Sequence, residues 1–303
     1  MASADEYRIT KEEAFHFLDN VLQIESAEMK LKANKIKFLE DVIKEMHHHI
    51  PYQTINVIAM PDEERRLPTA ADIKSDITSK LGGLCYQLQI FSWMLLRSLN
   101  FDAHLVPVDG MRRENIHVGI VLKDLTCQGS KHLFEVGTSL PTHRLVPLNF
   151  DQGSPEYNDS CMTYRFIYDQ KGTFILQPRV SSVSSLATKY PELIDGKWFS
   201  FAFIHTEQTV PVSHFNSATC MKKFFTDVDE LFCFIGLLCV SYPNGRLVSI
   251  KNSKLTLVDE TNQMQHFQFR SDDDFLEAFQ RYFPQFPESM IRASMKNAKF
   301  KLP

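Results

Sequence analysis

Lys80-Leu81-Gly82-Gly83-Leu84-Cys85-Tyr86-Gln87-Leu88 is the stretch on which the fold and the chemistry turn. Two glycines permit a tight turn. A cysteine then stands where an apolar periodicity of helical spacing begins, with Leu88, Phe91, Leu95, Leu96 and Leu99 on one face and an expected stop near Asn100. A helix start carries unpaired N–H groups and about half a positive charge. A cysteine placed there favours its thiolate and becomes a nucleophile. Burial as a small inert residue is the commoner fate of cysteine, so the turn alone does not decide.

Its partners come downstream. Asn115-Ile116-His117-Val118-Gly119-Ile120 sets a histidine at the head of an apolar strand, and His132-Leu133-Phe134-Glu135-Val136-Gly137 sets a carboxylate inside the next. If the two strands pair as a hairpin, His117 and Glu135 face the same side. A carboxylate among apolar neighbours needs a partner, because an isolated buried charge is very costly. An imidazole serves, with the acid fixing its tautomer and the ring taking the thiol proton.

Upstream of the turn, Thr10 and Glu13 make a capping-box pattern ahead of Ala14, Phe17, Leu18, Val21 and Leu22. A second helix follows from Ala33, Ile36, Leu39, Ile43 and Met46 and should end before Pro51. Beyond Asn100 short β-rich runs take over: 104–108, 117–122, 132–136, 164–168, 173–176 and 198–205. The serine-rich 177–189 reads as a loop insertion or boundary. The apolar run 231–240 is followed by Pro243-Asn244-Gly245 and 247–250, a hairpin signal. Ser271 to Asp274 opens a helix carrying Phe275, Leu276, Phe279 and Phe283, with Asp272-Asp273-Asp274 as N-terminal helix charge. Helices, then strands, then a mixed segment make an α+β chain without βαβ repeats.

The chain has 303 residues, 44% of them hydrophobic, and a formal charge of −4. That length supports two or three packed units. The charge offers no field for nucleic acid or an anionic membrane, and no apolar run reaches the roughly 18 residues a span requires. The N-terminal Met1–Glu6 lacks the character of a secretory leader. Six scattered cysteines (85, 127, 161, 220, 233, 239) then read as reduced thiols of a cytoplasmic protein, with Cys233 and Cys239 in the core. His47-His48-His49 reads as a solvated helix end, since consecutive helical residues diverge and no Cys or Asp/Glu set follows at ligand spacing. No metal is expected.

Gly82-Gly83-Leu84-Cys85, the strand-head histidine and a carboxylate before Val136-Gly137 together resemble the arylamine N-acetyltransferase family, whose pattern is Arg-Gly-Gly-x-Cys, histidine and Asp-Val-Gly-Phe-Gly. Ile50-Pro51-Tyr52-Gln53-Thr54-Ile55-Asn56 resembles its Val-Pro-Phe-Glu-Asn-Leu segment. Asn100-Phe101, Pro147-Leu148, Tyr164-Arg165-Phe166 and Leu176-Gln177 extend the likeness, which is dense over 10–180 and thinner beyond. The resemblance implies a helical bundle with the nucleophile (1–100), a central antiparallel β-barrel with the histidine and acid (101–205), and a C-terminal α/β lid (206–303), in a papain-like arrangement. It implies Cys85, His117 and Glu135 as a catalytic triad and the Tyr86 N–H as an oxyanion donor. Acyl-coenzyme A, such as acetyl-CoA, would be a co-substrate and no cofactor would be tightly bound. The partners are that thioester and a small-molecule amine such as an arylamine or hydrazine, joined by ping-pong transfer through a Cys85 thioester. Oligomeric state stays open.

The chain departs from the pattern at four places. Glu135 stands for the usual Asp, and Leu81 for the arginine before Gly-Gly. The Thr-Ser-Pro-x-Ser-x-Phe segment associated with coenzyme A becomes Ala218-Thr219-Cys220-Met221-Lys222-Lys223-Phe224, leaving Thr219, Lys222 and Lys223 as phosphate-binding candidates. Thr138-Ser139 replaces Phe-Gly, which places Thr138, with Tyr52, at the substrate pocket. These departures keep two other readings open: a cysteine hydrolase or amide-forming enzyme using a donor other than coenzyme A, and a binding protein with an idle triad.

Overall fold

A computed structural model gives the fold of residues 6–217 and 219–298, apart from the side chains of 232 and 233. The leader reading of Met1–Glu6, all but its last residue, together with Ala218 and the burial of Cys233, therefore lies outside the described residues.

The N-terminal helices are α1 (Lys11–His16), α2 (Ala27–Ala33), α3 (Lys35–His49), α4 (Ile55–Ala59), α5 (Ala70–Thr78) and α6 (Cys85–Ser98). Thr10 and Glu13 form the expected reciprocal cap of α1, which runs on into a π-helical turn at Phe17–Val21. α3 ends before Pro51, as expected. α6 is buried almost all round and packs against α1 and α5.

The strands are β1 (Tyr52–Gln53), β2 (Asp102–Gly110), β3 (Arg113–Lys123), β4 (Lys131–Phe134), β5 (Val146–Pro147), β6 (Tyr157–Asp159), β7 (Met162–Tyr168), β8 (Thr173–Pro178), β9 (Ile194–Asp195), β10 (Trp198–Phe199), β11 (Ala202–His205), β12 (Leu238–Ser241), β13 (Val248–Lys251), β14 (Lys254–Val258) and β15 (Met264–Gln268). An antiparallel sheet in the order β5-β4-β3-β2-β11-β8-β7-β6 curls as a half-barrel. Val106, Val121, Tyr164 and Phe166 fill its interior. The expected barrel is thus a curled sheet with unpaired ends.

The last third adds α8 (Lys222–Thr226), α9 (Val228–Phe234), α10 (Asp272–Tyr282) and α11 (Glu288–Asn297), following the short α7 (Ser184–Lys189). Its sheet runs β1-β12-β13-β14-β15. The Pro243-Asn244-Gly245 hairpin is present, with Asn244 and Gly245 both at positive φ, and Ser271 caps α10 through the Asp274 N–H.

Three local expectations are corrected. The serine-rich 177–189 is ordered as the end of β8 and the helix α7, because Val183, Ala187 and Phe199 form a small apolar cluster that pins it. The first half of the 231–240 run is helical, with Asp227 capping α9 through the Glu230 N–H. The run 198–205 divides into β10, which pairs with β9, and β11, which joins the large sheet.

Proximity of the Gly-Gly turn to β1 fixes both. Gly83 N–H donates to Pro51 O (3.2 Å) and Gln53 N–H to Gly83 O (3.0 Å). Gly82 sits at φ +74°, and a Cβ there would lie 2.0 Å from Pro51 O. Gly129 has a similar φ of +82° with nothing within 4 Å. Gly129→Ala should therefore cost about 1–2 kcal/mol for left-handed backbone alone, while Gly82→Ala should cost about 3 kcal/mol or more once the clash is added. Urea unfolding of both variants checks this, and equal losses would refute the steric account.

Candidate active site

Cys85 is the first residue of α6, behind Leu84 as its N-cap. Leu84 N–H donates to Gln87 Oε1 (3.0 Å), and Gln87 Nε2 donates to Asp76 Oδ2 (2.7 Å). The Asp76 carbonyl accepts from Leu81 and Gly82 N–H at 2.9 and 3.2 Å. Gln87 thus ties the turn before Cys85 to α5. A Cβ on Gly83 would lie 2.3 Å from Gln87 Oε1, so the second glycine makes room for this side chain.

His117 lies in β3 opposite Val108 of β2. Ile120 pairs with Phe134 at the end of β4, so residue 135 continues on the face that 117 shares. Across that face His117 Nε2 meets Glu135 Oε2 at 2.8 Å. The other carboxylate oxygen accepts the Gly137 N–H at 2.7 Å. The carboxylate therefore turns back on its own backbone, which absorbs the methylene that distinguishes Glu from Asp. Gly137 leaves no room for more, since a Cβ there would lie 2.5 Å from Gln89 Cγ and 3.1 Å from His117 Cε1.

Cys85, His117 and Glu135 are 8%, 9% and 4% exposed. Burial works against charge on the imidazole. The Glu135 carboxylate, together with hydrogen bonds to Cys85 and Glu135, outweighs it and pushes the pKa of His117 up to about 10. The ring is an imidazolium at neutral pH, the charge that complements a sulfur anion. Tyr52 is held well above the ordinary phenol range by burial, then by the charges of Cys85 and Glu135. It stays protonated and available as a donor.

These groups open on a cavity of about 230 Å3, walled by Tyr52, Cys85, His117, Thr138, Leu186 and Phe234 among others. Tyr52 and Thr138 are where the sequence placed them, at the pocket. The Tyr86 side chain is turned away, its hydroxyl donating to Asn216 Oδ1 at 3.0 Å, while its backbone N–H belongs to the first turn beside the sulfur. Thr219, Lys222 and Lys223 do not line the cavity. Thr219 bonds Ser217 (3.1 Å) and the Lys223 ammonium lies over the Phe224 ring. The same segment nonetheless reaches Cys85 through Met221, whose Sδ is 3.6 Å from Cys85 Sγ.

Sequence reasoning missed Met221, because it followed the hydroxyl positions of the segment and not its apolar residue. It also misplaced His47, which is buried against His143 and Tyr242 with ring centroids 5.0 and 5.6 Å away. Burial, first, and His143 hold its pKa down to about 3, so it is a neutral core group. His48 and His49 flank Glu45 at 3.3 and 3.4 Å. Their donor atoms and the carboxylate lie within 4.8 Å, a set able to hold a metal ion. The acid precedes the histidines, where a search downstream did not look. Among the described residues Cys85, Cys127, Cys161, Cys220 and Cys239 are free thiols, and Cys239 is core.

The raised pKa of His117 gives a pH signature. A histidine whose folded pKa of about 10 exceeds its ordinary 6.5 contributes stability that is complete below 6.5 and lost as pH rises through 10. Glu135→Gln should lower stability by roughly 2 kcal/mol near pH 6, and the gap to the natural protein should narrow between pH 7 and 10. Urea titrations across that range read it; a gap that stays constant would refute the ion pair.

The sequence model described as N-acetyltransferase matches residues 35–285. No curated protein sequence matches the chain. Among solved structures, the arylamine N-acetyltransferase from Mycobacterium abscessus superposes with a TM-score of 0.71 at 11% identity, over 99% of this chain and 100% of that one. The Mycobacterium marinum arylamine N-acetyltransferase in complex with CoA gives 0.68 at 13% identity, over 95% and 99%. An arylamine N-acetyltransferase from Bacillus cereus with a unique Cys-His-Glu catalytic triad gives 0.61 at 18% identity, over 90% and 97%. Among the described residues no helix is long and apolar enough to cross a membrane. The chain belongs to the N-acetyltransferase family, the one whose solved members here are arylamine N-acetyltransferases, and it is an acyltransferase.

Proposed function

We propose that the protein moves an acyl group from acyl-coenzyme A to a small-molecule amine, by a ping-pong mechanism through a thioester on Cys85. The observation that carries this reading is the His117 ring, hydrogen-bonded to a buried carboxylate and lining one cavity with the Cys85 sulfur. The Mycobacterium marinum relative in complex with CoA supports the donor, and the Bacillus cereus relative supports glutamate as the third member.

In the first half-reaction the Cys85 thiolate, its proton already on His117, attacks the donor carbonyl, the bond from that carbonyl to the coenzyme A sulfur breaks, and His117 gives that proton to the departing thiolate. In the second, the amine nitrogen attacks the Cys85 thioester, His117 takes the nitrogen's proton, and the sulfur leaves with the electron pair. Glu135 orients the ring throughout. The Tyr86 N–H and the Tyr52 hydroxyl are the donors for the oxyanion of each tetrahedral intermediate. Thr219, Lys222 and Lys223, beside the Met221 that touches the sulfur, are the groups that would meet the donor's phosphates at the rim.

Cavity size supports sequential occupancy. About 230 Å3 falls below the range of about 300–1,000 Å3 typical of small-molecule sites. Donor arm and acceptor fit one after the other better than together, so the acyl group has to wait on the enzyme.

Intact-mass measurement after exposure to acetyl-, propionyl- and malonyl-coenzyme A should show an acyl increment on Cys85 that Cys85→Ala abolishes. Glu135→Gln should slow acylation by roughly 100-fold or more. Absence of an adduct with every thioester, alongside turnover of simple aryl esters, would replace this reading with the hydrolase. Absence of both, with slow alkylation of Cys85 by iodoacetamide, would leave the idle binding protein.

A further inference from the structure

A second cavity, of about 430 Å3, lies on the far side of the nucleophile's turn, between α4, the 60–68 segment and α11. Val57, Met60, Phe225 and Met290 give it apolar walls, and Asp76 and Gln87 line it as well. The Asp76 carboxylate accepts from Gln87 Nε2 (2.7 Å) and Asn56 Nδ2 (3.4 Å), both on Oδ2. No cation pairs with it among the described residues. Leu81, which stands where the family has arginine, supplies no charge to this turn. At the rim Arg66 is committed to Asp72, by contacts of 2.5 and 3.1 Å, while Glu64 adds negative charge.

We infer that this cavity is a binding site for an organic cation, an ammonium group on an apolar or aromatic body, with Asp76 as its counter-ion. A half-buried carboxylate without a cationic partner carries a desolvation cost, and an ammonium both pairs with it and bonds the oxygen that Gln87 and Asn56 leave open. The apolar walls take the rest of the ligand. Burial, chiefly, holds the Asp76 pKa up at about 6, with the Gln87 hydrogen bond working against it. The group is an anion at neutral pH and loses its charge on mild acidification. Because Gln87 holds Asp76 with one amide atom and the Leu84 N–H with the other, a cation on Asp76 sits two hydrogen bonds from the turn that presents Cys85. The inference does not depend on the acyl-transfer reading, since the site lies outside the catalytic cavity.

Benzylammonium chloride is a suitable probe, with benzyl alcohol as its uncharged counterpart, titrated calorimetrically into the full chain. Saturable binding of the ammonium is expected at pH 7.5, at least tenfold weaker for the alcohol, and at least tenfold weaker at pH 5. Asp76→Asn removes the counter-ion. Met290→Trp fills the cavity from α11 without touching the turn, and keeps the test decisive if Asp76→Asn fails to fold. Each should weaken binding at least tenfold. No binding, equal binding of the alcohol, or full affinity in either folded variant would overturn the proposal, the last by placing the amine in the catalytic cavity.

Discussion

The cluster of Cys85, His117 and Glu135 hangs from a three-residue backbone junction. Pro51 and Gln53, on either side of Tyr52, exchange hydrogen bonds with Gly83 on one side, and Tyr52 and Gln53 pair with Val240 and Cys239 of β12 on the other. Thr54 extends the seam: its N–H donates to Leu238 O and its hydroxyl to Gly236 O. One short strand therefore sets the height of the turn before Cys85 and fixes the C-terminal sheet against it. Gly82 and Gly83 are demanded by this closeness, the first by a carbonyl at the position of its missing Cβ, the second by the Gln87 amide. The backbone cannot approach so nearly with any larger residue, and without the approach the start of α6 would not face β3.

Against that fixed sulfur, the histidine and the acid are placed by sheet register. The β3–β4 ladder ends at Phe134, and this freedom at the strand end lets Glu135 curl so that one oxygen bonds His117 and the other its own Gly137 N–H. An aspartate in a fully paired strand would need a different approach. The shift from Asp to Glu is thus tied to local backbone, which makes it an alternative solution and not a lesion.

What was legible in the sequence was local. Capping at Thr10, Ser271 and the Gly-Gly turn, and the apolar face of α6, are decided within a few residues and were readable from them. Strands β3 and β4 could be read from the apolar runs beside a histidine and a carboxylate, although Glu135, expected inside its strand, lies just past the end of β4. What escaped depends on contacts far apart in the chain. β1 is a strand only because β12, nearly two hundred residues later, pairs with it. His47 is core only because His143 and Tyr242 close over it. The serine-rich 177–189 offers little hydrophobic signal, yet Val183 and Ala187 anchor it on Phe199. Met221 carries no motif, and its place above the sulfur follows from how α8 enters the cleft.

A structural role for the buried histidine and glutamate would make poor energetic sense. Desolvating an ion pair costs several kcal/mol per ion, and well-packed apolar residues of the same volume commonly do as well or better. The cost is compounded nearby: Gln89, packed on Gly137, buries both amide atoms without a hydrogen-bond partner among the described residues, each such group being a further loss. Among the described residues no other ion pair has both side chains so deeply buried, and the main core is filled largely by Leu, Ile, Val and Phe. Buried polar groups occur elsewhere, at His47 and His143 for example, but a hydrogen-bonded ion pair at this depth stands beside a cysteine at a helix mouth, where acyl-transfer chemistry would use it. The polar cluster is retained against stability, and that is the physical reason for reading it as an active site.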